Sequence, residues 1–135
     1  MRQLWSRPFE AFVAGLMLLV GFTQAFTPGV HPPEMVAILP PLVLRGYGLY
    51  VLIGSAAWLA GIAYGRLLWE RAALTALAGA LYAIALGETY LAVSNDYPTV
   101  GVEDLMETLI WQAGIGTAAL VRATYISAVF RKAGK

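Results

Sequence analysis

Four long apolar blocks run through this sequence, and they constrain its fold more than any other feature. They cover approximately residues 9–26, 42–64, 72–93 and 108–130, and short polar or proline-containing links separate them. Each block has close to the ~20 residues that a helix needs to cross ~30 Å of hydrocarbon. Because lipid offers the backbone no hydrogen-bond partners, each spanning block must be helical. The sequence therefore predicts an all-α integral membrane protein, a single four-helix transmembrane bundle over residues 1–135.

The composition excludes an ordinary soluble domain and several kinds of chemistry. Of the 135 residues, 59% are hydrophobic and 13% are charged, whereas roughly 25% of a soluble domain is charged. The chain has no cysteine, which excludes disulfides and thiolate metal sites. The single histidine, His31, has no second ligand nearby in the sequence. No catalytic motif or basic nucleic-acid patch is visible, so we expect no enzyme activity, no metal, no cofactor and no nucleic-acid partner.

The basic residues predict how the chain is oriented. If it crosses the bilayer four times, the Lys and Arg residues outside the spans all fall on one side: Arg2, Arg7, Arg66, Arg71, Arg131, Lys132 and Lys135. The links at 27–41 and 94–107, on the other side, hold five acidic residues and no Lys or Arg. The positive-inside rule then places both termini in the cytoplasm, with antiparallel spans in the inner membrane. In the first of these links, the segment 34–39 lies between prolines and is predicted as a short interfacial helix.

Small residues at helical spacing predict close packing between the spans. In a bilayer, backbones approach closely where side chains are small, and this contact supplies much of the helix association. The predicted packing residues are Gly54, Gly61, Ala76, Ala80, Ala83, Gly87 and Gly116. The same faces are equally suited to contact with a second copy of the chain.

Each span also contributes one polar side chain at a similar height: Gln24, Arg45, Glu88 and Gln112. At 1.5 Å per residue, Glu88 and Arg45 lie about 7 and 5 Å below the outer ends of their spans. An unpaired charge at mid-membrane costs about 2.5–3.5 kcal/mol, so we expect Glu88 to face inward, ionised and paired with Arg45. The two glutamines are its expected hydrogen-bond neighbours. This buried polar layer is either a clasp that fixes helix register or a ligand, proton or ion site.

Arg122 is a second intramembrane charge, about 12 Å from the cytoplasmic end of the fourth span. Glu10 and Glu70 are its candidate partners, and spacing along the chain does not choose between them. A paired or snorkelling structural arginine and a lipid-headgroup or pore role are both compatible with this position.

The order and composition of the spans resemble those of a known group of proteins. The segments that carry the resemblance are RPFEAFVAGLMLLVGF, LPPLVLRGYGLYVLIG and ERAALTALAGALYAIAL. They are similar to small four-span membrane proteins of actinobacterial bacteriophages, which are often regarded as holin-like. This resemblance implies a phage protein of the host inner membrane that accumulates as oligomers during lysis. The segment GYGLYVLIGSAAWLAGI shows a weaker likeness to DoxX-type four-helix membrane proteins.

Three functions are compatible with these observations. The first is a holin-like protein that self-associates in the lipid bilayer through its small-residue faces. The second is a binding or assembly module that recognises an envelope or membrane protein through the acidic outer links. The third is a small carrier or proton-linked protein that uses Glu88 and Arg45, and it requires a cavity that reaches Glu88.

Overall fold

Four helices make up the described part of the protein. The computed structural model describes residues 7–27, 39–94 and 102–133. The helices are α1 (Pro8–Phe26), α2 (Pro41–Tyr64), α3 (Leu67–Ser94) and α4 (Val102–Ala133). All four are long and apolar enough to cross a membrane, and no strand occurs in the described ranges. The predicted all-α class with four candidate spans is confirmed, while the helix predicted at 34–39 lies almost wholly outside the described residues.

The helices start and stop where the local sequence favours it. Both α1 and α2 begin at a proline, which suits a first helical position because no hydrogen bond is lost there. At the end of α2, Gly65 adopts a left-handed conformation with φ 65°. The amides of Gly65 and Arg66 donate to the carbonyls of Ile62 and Gly61, which is a Schellman motif. Glycine takes this conformation without steric cost, so the helix ends sharply.

Two helices extend beyond the N-terminal ends of their predicted spans. α3 starts at Leu67, ahead of the span predicted from residue 72, and α4 starts at Val102, ahead of the span predicted from residue 108. The prediction began each span after its charged residues, but helical structure continues through those charges because they lie at the ends of the spans. For α3 the difference matters, since it brings Glu70 into the first turn of the helix.

Consecutive helices pack against one another, so the principal contacts are α1 with α2, α2 with α3 and α3 with α4. The buried core lies on the inner face of α3, at Leu74, Leu77 and Leu81, and includes Val51 of α2 and Ile126 of α4. Outside it, many large apolar side chains on every helix are exposed. That distribution suits a bundle whose outer surface contacts lipid.

The closest helix contact, between α1 and α2, depends on two glycines that were not predicted. A Cβ atom on Gly21 would lie 2.5 Å from the backbone nitrogen of Leu52, and one on Gly48 would lie 2.5 Å from that of Ala25. No side chain fits at either position, so the two backbones touch.

The predicted small-residue positions differ in whether they face a neighbouring helix. A Cβ on Gly54 or Gly61 would collide with α3, and Gly116 is buried against α3. On α3 itself the predicted stripe does not face inward, because Ala83 is exposed and a Cβ on Gly87 would meet open space. Ala76 and Ala80 are only partly buried. The buried face of α3 instead carries Leu74, Leu77 and Leu81 together with three alanines outside the predicted stripe, Ala73, Ala78 and Ala85.

Candidate functional site

A buried carboxylate, Glu70, lies at the end of the bundle that carries the Gly65 turn, which we call the Gly65 end. The turn is only two residues long, so α3 starts directly behind α2. A Cβ on Gly61 would lie 2.7 Å from the backbone nitrogen of Glu70, which shows how closely the first turn of α3 packs on α2. This contact leaves the Glu70 side chain fully buried, in the first turn of a helix, where the helix dipole favours a negative charge.

Glu70 joins two arginines from the two outer helices of the sequence. Arg7, directly before α1, donates from Nη1 to Glu70 Oε2 at 2.7 Å and from Nη2 to Oε1 at 2.6 Å. Arg122 of α4 donates from Nε to the same Oε1 at 3.2 Å. Arg7 also donates from Nε to Glu10 Oε1 at 3.1 Å. We call Arg7, Glu10, Glu70 and Arg122 the charge cluster.

The charge cluster identifies the partner of Arg122 as Glu70 and includes Arg7, for which the sequence predicted no ion pair. Of the two predicted candidates, Glu70 pairs with Arg122, and Glu10 instead pairs with Arg7. The bidentate bond to Glu70 is the main reason why the pKa of Arg7 lies above its ordinary value; burial lowers it, and the bond to Glu10 raises it further. Arg7 therefore keeps its charge at any ordinary pH.

Arg122 uses only part of its hydrogen-bonding capacity. A guanidinium carries five N–H donors. Within the described residues, only the Nε donor of Arg122 has a hydrogen-bond acceptor, Glu70. The guanidinium carbon lies 5.4 Å from the centroid of the Tyr125 ring. Because the Arg122 side chain is 28% exposed, an anion can approach it from outside.

Next to the charge cluster is a half-enclosed cavity of about 550 Å³ between α1 and α4. Phe9, Val13 and Met17 of α1 form one wall, and the inner face of α3 contributes Leu74, Leu77 and Leu81 together with Trp58 of α2. The wall on α4 consists of Ile110, Trp111, Gly114, Ile115, Ala118 and Ala119. Two charged side chains, Glu10 and Arg122, complete the lining at the Gly65 end. The cavity is thus apolar along its length and charged at one end.

Glu88, at the opposite end of α3, is also buried and has a polar neighbour. Gln112 of α4 donates from Nε2 to both carboxylate oxygens at 3.4 Å, and Tyr47 of α2 lies within electrostatic range. Gln24 is partly buried, and its Oε1 has no hydrogen bond among the described residues. Glu88 does not line the large cavity.

The predicted partner of Glu88 is not where the sequence analysis placed it. Arg45 is exposed. Among the described residues, the ion pairs all lie within the charge cluster, and none of them includes Arg45. Arg45 lies one turn into α2, so its long side chain can reach the polar surface of the bilayer instead of turning inward. The polar layer therefore has Glu88 and Gln112 in contact, with Arg45 outside it.

The two buried carboxylates share one face of α3. They are 18 residues apart, which is five helical turns and about 27 Å. Both point towards α4, where Arg122 contacts Glu70 and Gln112 contacts Glu88. The distance is close to the ~30 Å thickness of the hydrocarbon core. A five-turn spacing of two glutamates is visible in the sequence, and it would have identified the buried face of α3.

Comparison with known proteins gives no relative from which a function can be transferred. No protein-family model, no curated protein and no solved structure matches this chain.

Proposed function

We propose that this protein is a multi-pass membrane protein that holds the hydrocarbon chain of a lipid-like ligand in the cavity between α1 and α4. The observation that carries the proposal is the cavity itself. Its volume, about 550 Å³, lies within the range of about 300–1,000 Å³ that ligand pockets occupy. Apart from Glu10 and Arg122 at one end, its walls are apolar, and a cavity of that kind favours hydrocarbon over water.

The proposal includes a membrane arrangement: four crossings, consecutive helices antiparallel, and both termini in the cytoplasm of an inner-membrane protein. The contacts of α1 with α2 support the antiparallel order. Gly21 meets Leu52, while Ala25, further along α1, meets Gly48, earlier in α2. The Lys and Arg residues on the cytoplasmic side support the orientation.

Tryptophan quenching tests whether a hydrocarbon chain occupies the cavity. Trp58 lines the cavity and is only 7% exposed, so bilayer lipid cannot reach it from outside the bundle. The test uses protein with Trp58 as its only tryptophan, in vesicles whose lipid chains carry bromine. We expect strong quenching of Trp58, because bromine quenches an indole only at close contact. A Trp58 signal that bromine leaves unchanged would show that no chain enters.

A matched pair of variants separates the cavity from the rest of the surface. Gly114→Phe with Ala118→Phe fills the cavity from α4, because both residues line it. Gly79→Phe with Ala83→Phe makes the same changes at the same spacing on an exposed face of α3 that does not line it. We expect Gly114→Phe/Ala118→Phe to reduce the quenching of Trp58 and Gly79→Phe/Ala83→Phe to leave it unchanged. Equal quenching in both would contradict a cavity-bound chain.

A second candidate function is holin-like self-association, as the phage resemblance implies. The observation that favours it is the outward small-residue face of α3, where Ala83 is exposed and side chains at Gly79 and Gly87 would meet open space. Small residues on a lipid-facing surface permit close approach of a second helix. The Gly79→Phe/Ala83→Phe variant should then abolish both crosslinked oligomers and the loss of membrane potential in induced cells, while Gly114→Phe/Ala118→Phe should retain them. Cells that stay energised with wild-type protein at high expression would refute it.

The other two functions considered from the sequence remain predictions with less support. The outer links proposed to bind an envelope partner lie largely outside the described residues. The carrier hypothesis requires a cavity that reaches Glu88, and the large cavity does not.

A further inference from the structure

We infer that the cavity selects an anionic headgroup, and that the Nη groups of Arg122 are its binding site. This inference rests on the proposed chain-binding function and identifies the chemical class of ligand: a single hydrocarbon chain that ends in a phosphate or carboxylate. Three independent observations carry it, namely the Nη donors of Arg122 that have no acceptor among the described residues, the fixed position of its guanidinium and the excess of positive charge at this end of the bundle.

The first observation concerns the shape of the site. The lining is apolar from Trp111 to Val13 and becomes charged only at Glu10 and Arg122. Arg122 lines this end of the cavity, and within the described residues no acceptor uses its Nη N–H groups. An anionic oxygen that accepts from a guanidinium forms a stronger hydrogen bond than a neutral acceptor does, and phosphate and carboxylate both fit its planar fork. A ligand whose chain fills the apolar part would place its headgroup next to these donors.

The second observation explains why Arg122 is held ready for a ligand. Its Nε donates to Glu70 Oε1, and Glu70 is fixed in turn by the bidentate bond to Arg7. The guanidinium therefore does not need to be ordered when a ligand binds, which lowers the entropic cost of binding. Glu70 and Arg7 are positioning residues in this scheme, since their contacts with each other leave them no role at the cavity.

The third observation concerns charge. Glu10 also lines the cavity, but one of its oxygens accepts from Arg7. Around the charge cluster, the described residues include four more exposed basic side chains, Arg66, Arg71, Arg131 and Lys132. The ends of α2 and α4 meet here, because Gly65, Arg66 and Phe130 line one small cavity. The excess of positive charge attracts an anion and disfavours a cationic headgroup.

The test compares three brominated amphiphiles of equal chain length in vesicles of unbrominated zwitterionic lipid: an alkyl phosphate, an alkyl phosphocholine and an uncharged monoacylglycerol. Quenching of the Trp58-only protein reports occupation of the cavity. A Trp69-only protein corrects for the amount in the bilayer, because Trp69 is exposed and lies outside the large cavity. We expect the phosphate to bind about tenfold more tightly than the uncharged amphiphile, which corresponds to the lower limit for a charge-assisted hydrogen bond.

Arg122→Gln tests the assignment of the site. We expect it to remove the preference for phosphate while binding of the uncharged amphiphile persists, and that persistence shows that the variant still folds. Arg122→Lys keeps a charge but loses the planar fork, so it should retain part of the preference. If Arg122→Gln does not fold, the inference is decided by whether the wild-type protein binds the phosphate more tightly than the other two amphiphiles.

Each failure has a distinct signature. If none of the amphiphiles quenches Trp58, the chain-binding function is wrong. If all three quench it equally, or if phosphocholine binds as tightly as phosphate, the chain-binding function stands and the anionic selectivity is overturned. An excess of inorganic phosphate in the buffer should not displace the alkyl phosphate; complete displacement would show a site for the free anion and would overturn the inference.

Discussion

At the scale of single residues, Glu70 holds the Gly65 end of the bundle together. It accepts hydrogen bonds from Arg7 and Arg122, which come from opposite ends of the chain. The sequence offered two glutamates as partners of Arg122 and did not distinguish them, because spacing along the chain does not give the distance between helices. The choice follows from the early start of α3, which turns Glu70 inward. Arg7 was predicted only as a topology signal, since an arginine next to a span satisfies the positive-inside rule whether or not it forms a pair.

Glu70→Gln is predicted to destabilise the protein by about 3 kcal/mol. Removing one member of a buried ion pair typically costs about 3–5 kcal/mol because the remaining charge loses its partner, and both arginines can recover some hydration at the bilayer surface. Unfolding in mixed micelles measures the change. The matched control is Glu107→Gln, which alters an exposed glutamate of α4 and should change stability by less than about 0.5 kcal/mol. Similar losses in the two variants would exclude a structural role for the Glu70 pairs.

A pair of double-mutant cycles tests the polar layer around Glu88. Gln112 donates to Glu88, so replacing both residues by leucine should give a coupling energy of about 0.5–2 kcal/mol. Arg45 is exposed and takes part in none of the ion pairs among the described residues. The losses of stability caused by replacing Arg45 and by replacing Glu88 should therefore add to within about 0.5 kcal/mol. The measurement is again unfolding in mixed micelles. Strong coupling between Arg45 and Glu88 would restore the pairing that the sequence analysis expected.

At the scale of helices, the sequence predicted the existence of the spans well and their inward faces poorly. A spanning helix is apolar on every side, because one side meets lipid and the other meets protein. Hydrophobic periodicity therefore cannot show which side is buried. The predicted small-residue stripe of α3 missed the centre of the buried face for this reason: Ala83 is exposed, whereas Ala78 and Ala85 are buried. The glycines of the contact between α1 and α2 were missed because small residues are frequent on all four helices, and only the structure shows which backbones touch.

Gly48→Ala is predicted to destabilise the protein by about 1–3 kcal/mol, the usual cost of an overpacked contact. The new methyl group would lie 2.5 Å from the backbone nitrogen of Ala25, so α1 and α2 would have to separate. Gly46→Ala, two residues earlier in the same helix, is the control, because its methyl group would meet nothing within 4 Å. It should be neutral or slightly stabilising. Equal stability of the two variants would show that the close approach of α1 and α2 contributes little.

At the scale of the whole molecule, the spacing of the two buried carboxylates of α3 matches the thickness of a bilayer's hydrocarbon core. Between Glu70 and Glu88 the inner face of α3 presents the apolar side chains Leu74, Leu77, Leu81 and Ala85. With about 27 Å between the carboxylates, a bilayer with a hydrocarbon core of ~30 Å would place each of them near one boundary. The cavity lies between these boundaries, and its charged end coincides with the Gly65 end. A headgroup bound there would lie at the Gly65 end of the bundle.

This placement leads to a prediction of topology that uses the absence of cysteine from the chain. Lys132 and Glu107 are exposed and lie near opposite ends of α4, so Lys132→Cys and Glu107→Cys each introduce a single thiol. In right-side-out spheroplasts, an impermeant maleimide should label Glu107→Cys at once and Lys132→Cys only after permeabilisation, because the basic side is held in the cytoplasm. The reverse pattern would show that the protein has the opposite orientation, with the anion-binding end in the outer leaflet. Labelling of both thiols without permeabilisation would mean that α4 does not cross, and the cavity between α1 and α4 would then have no membrane to supply its chain.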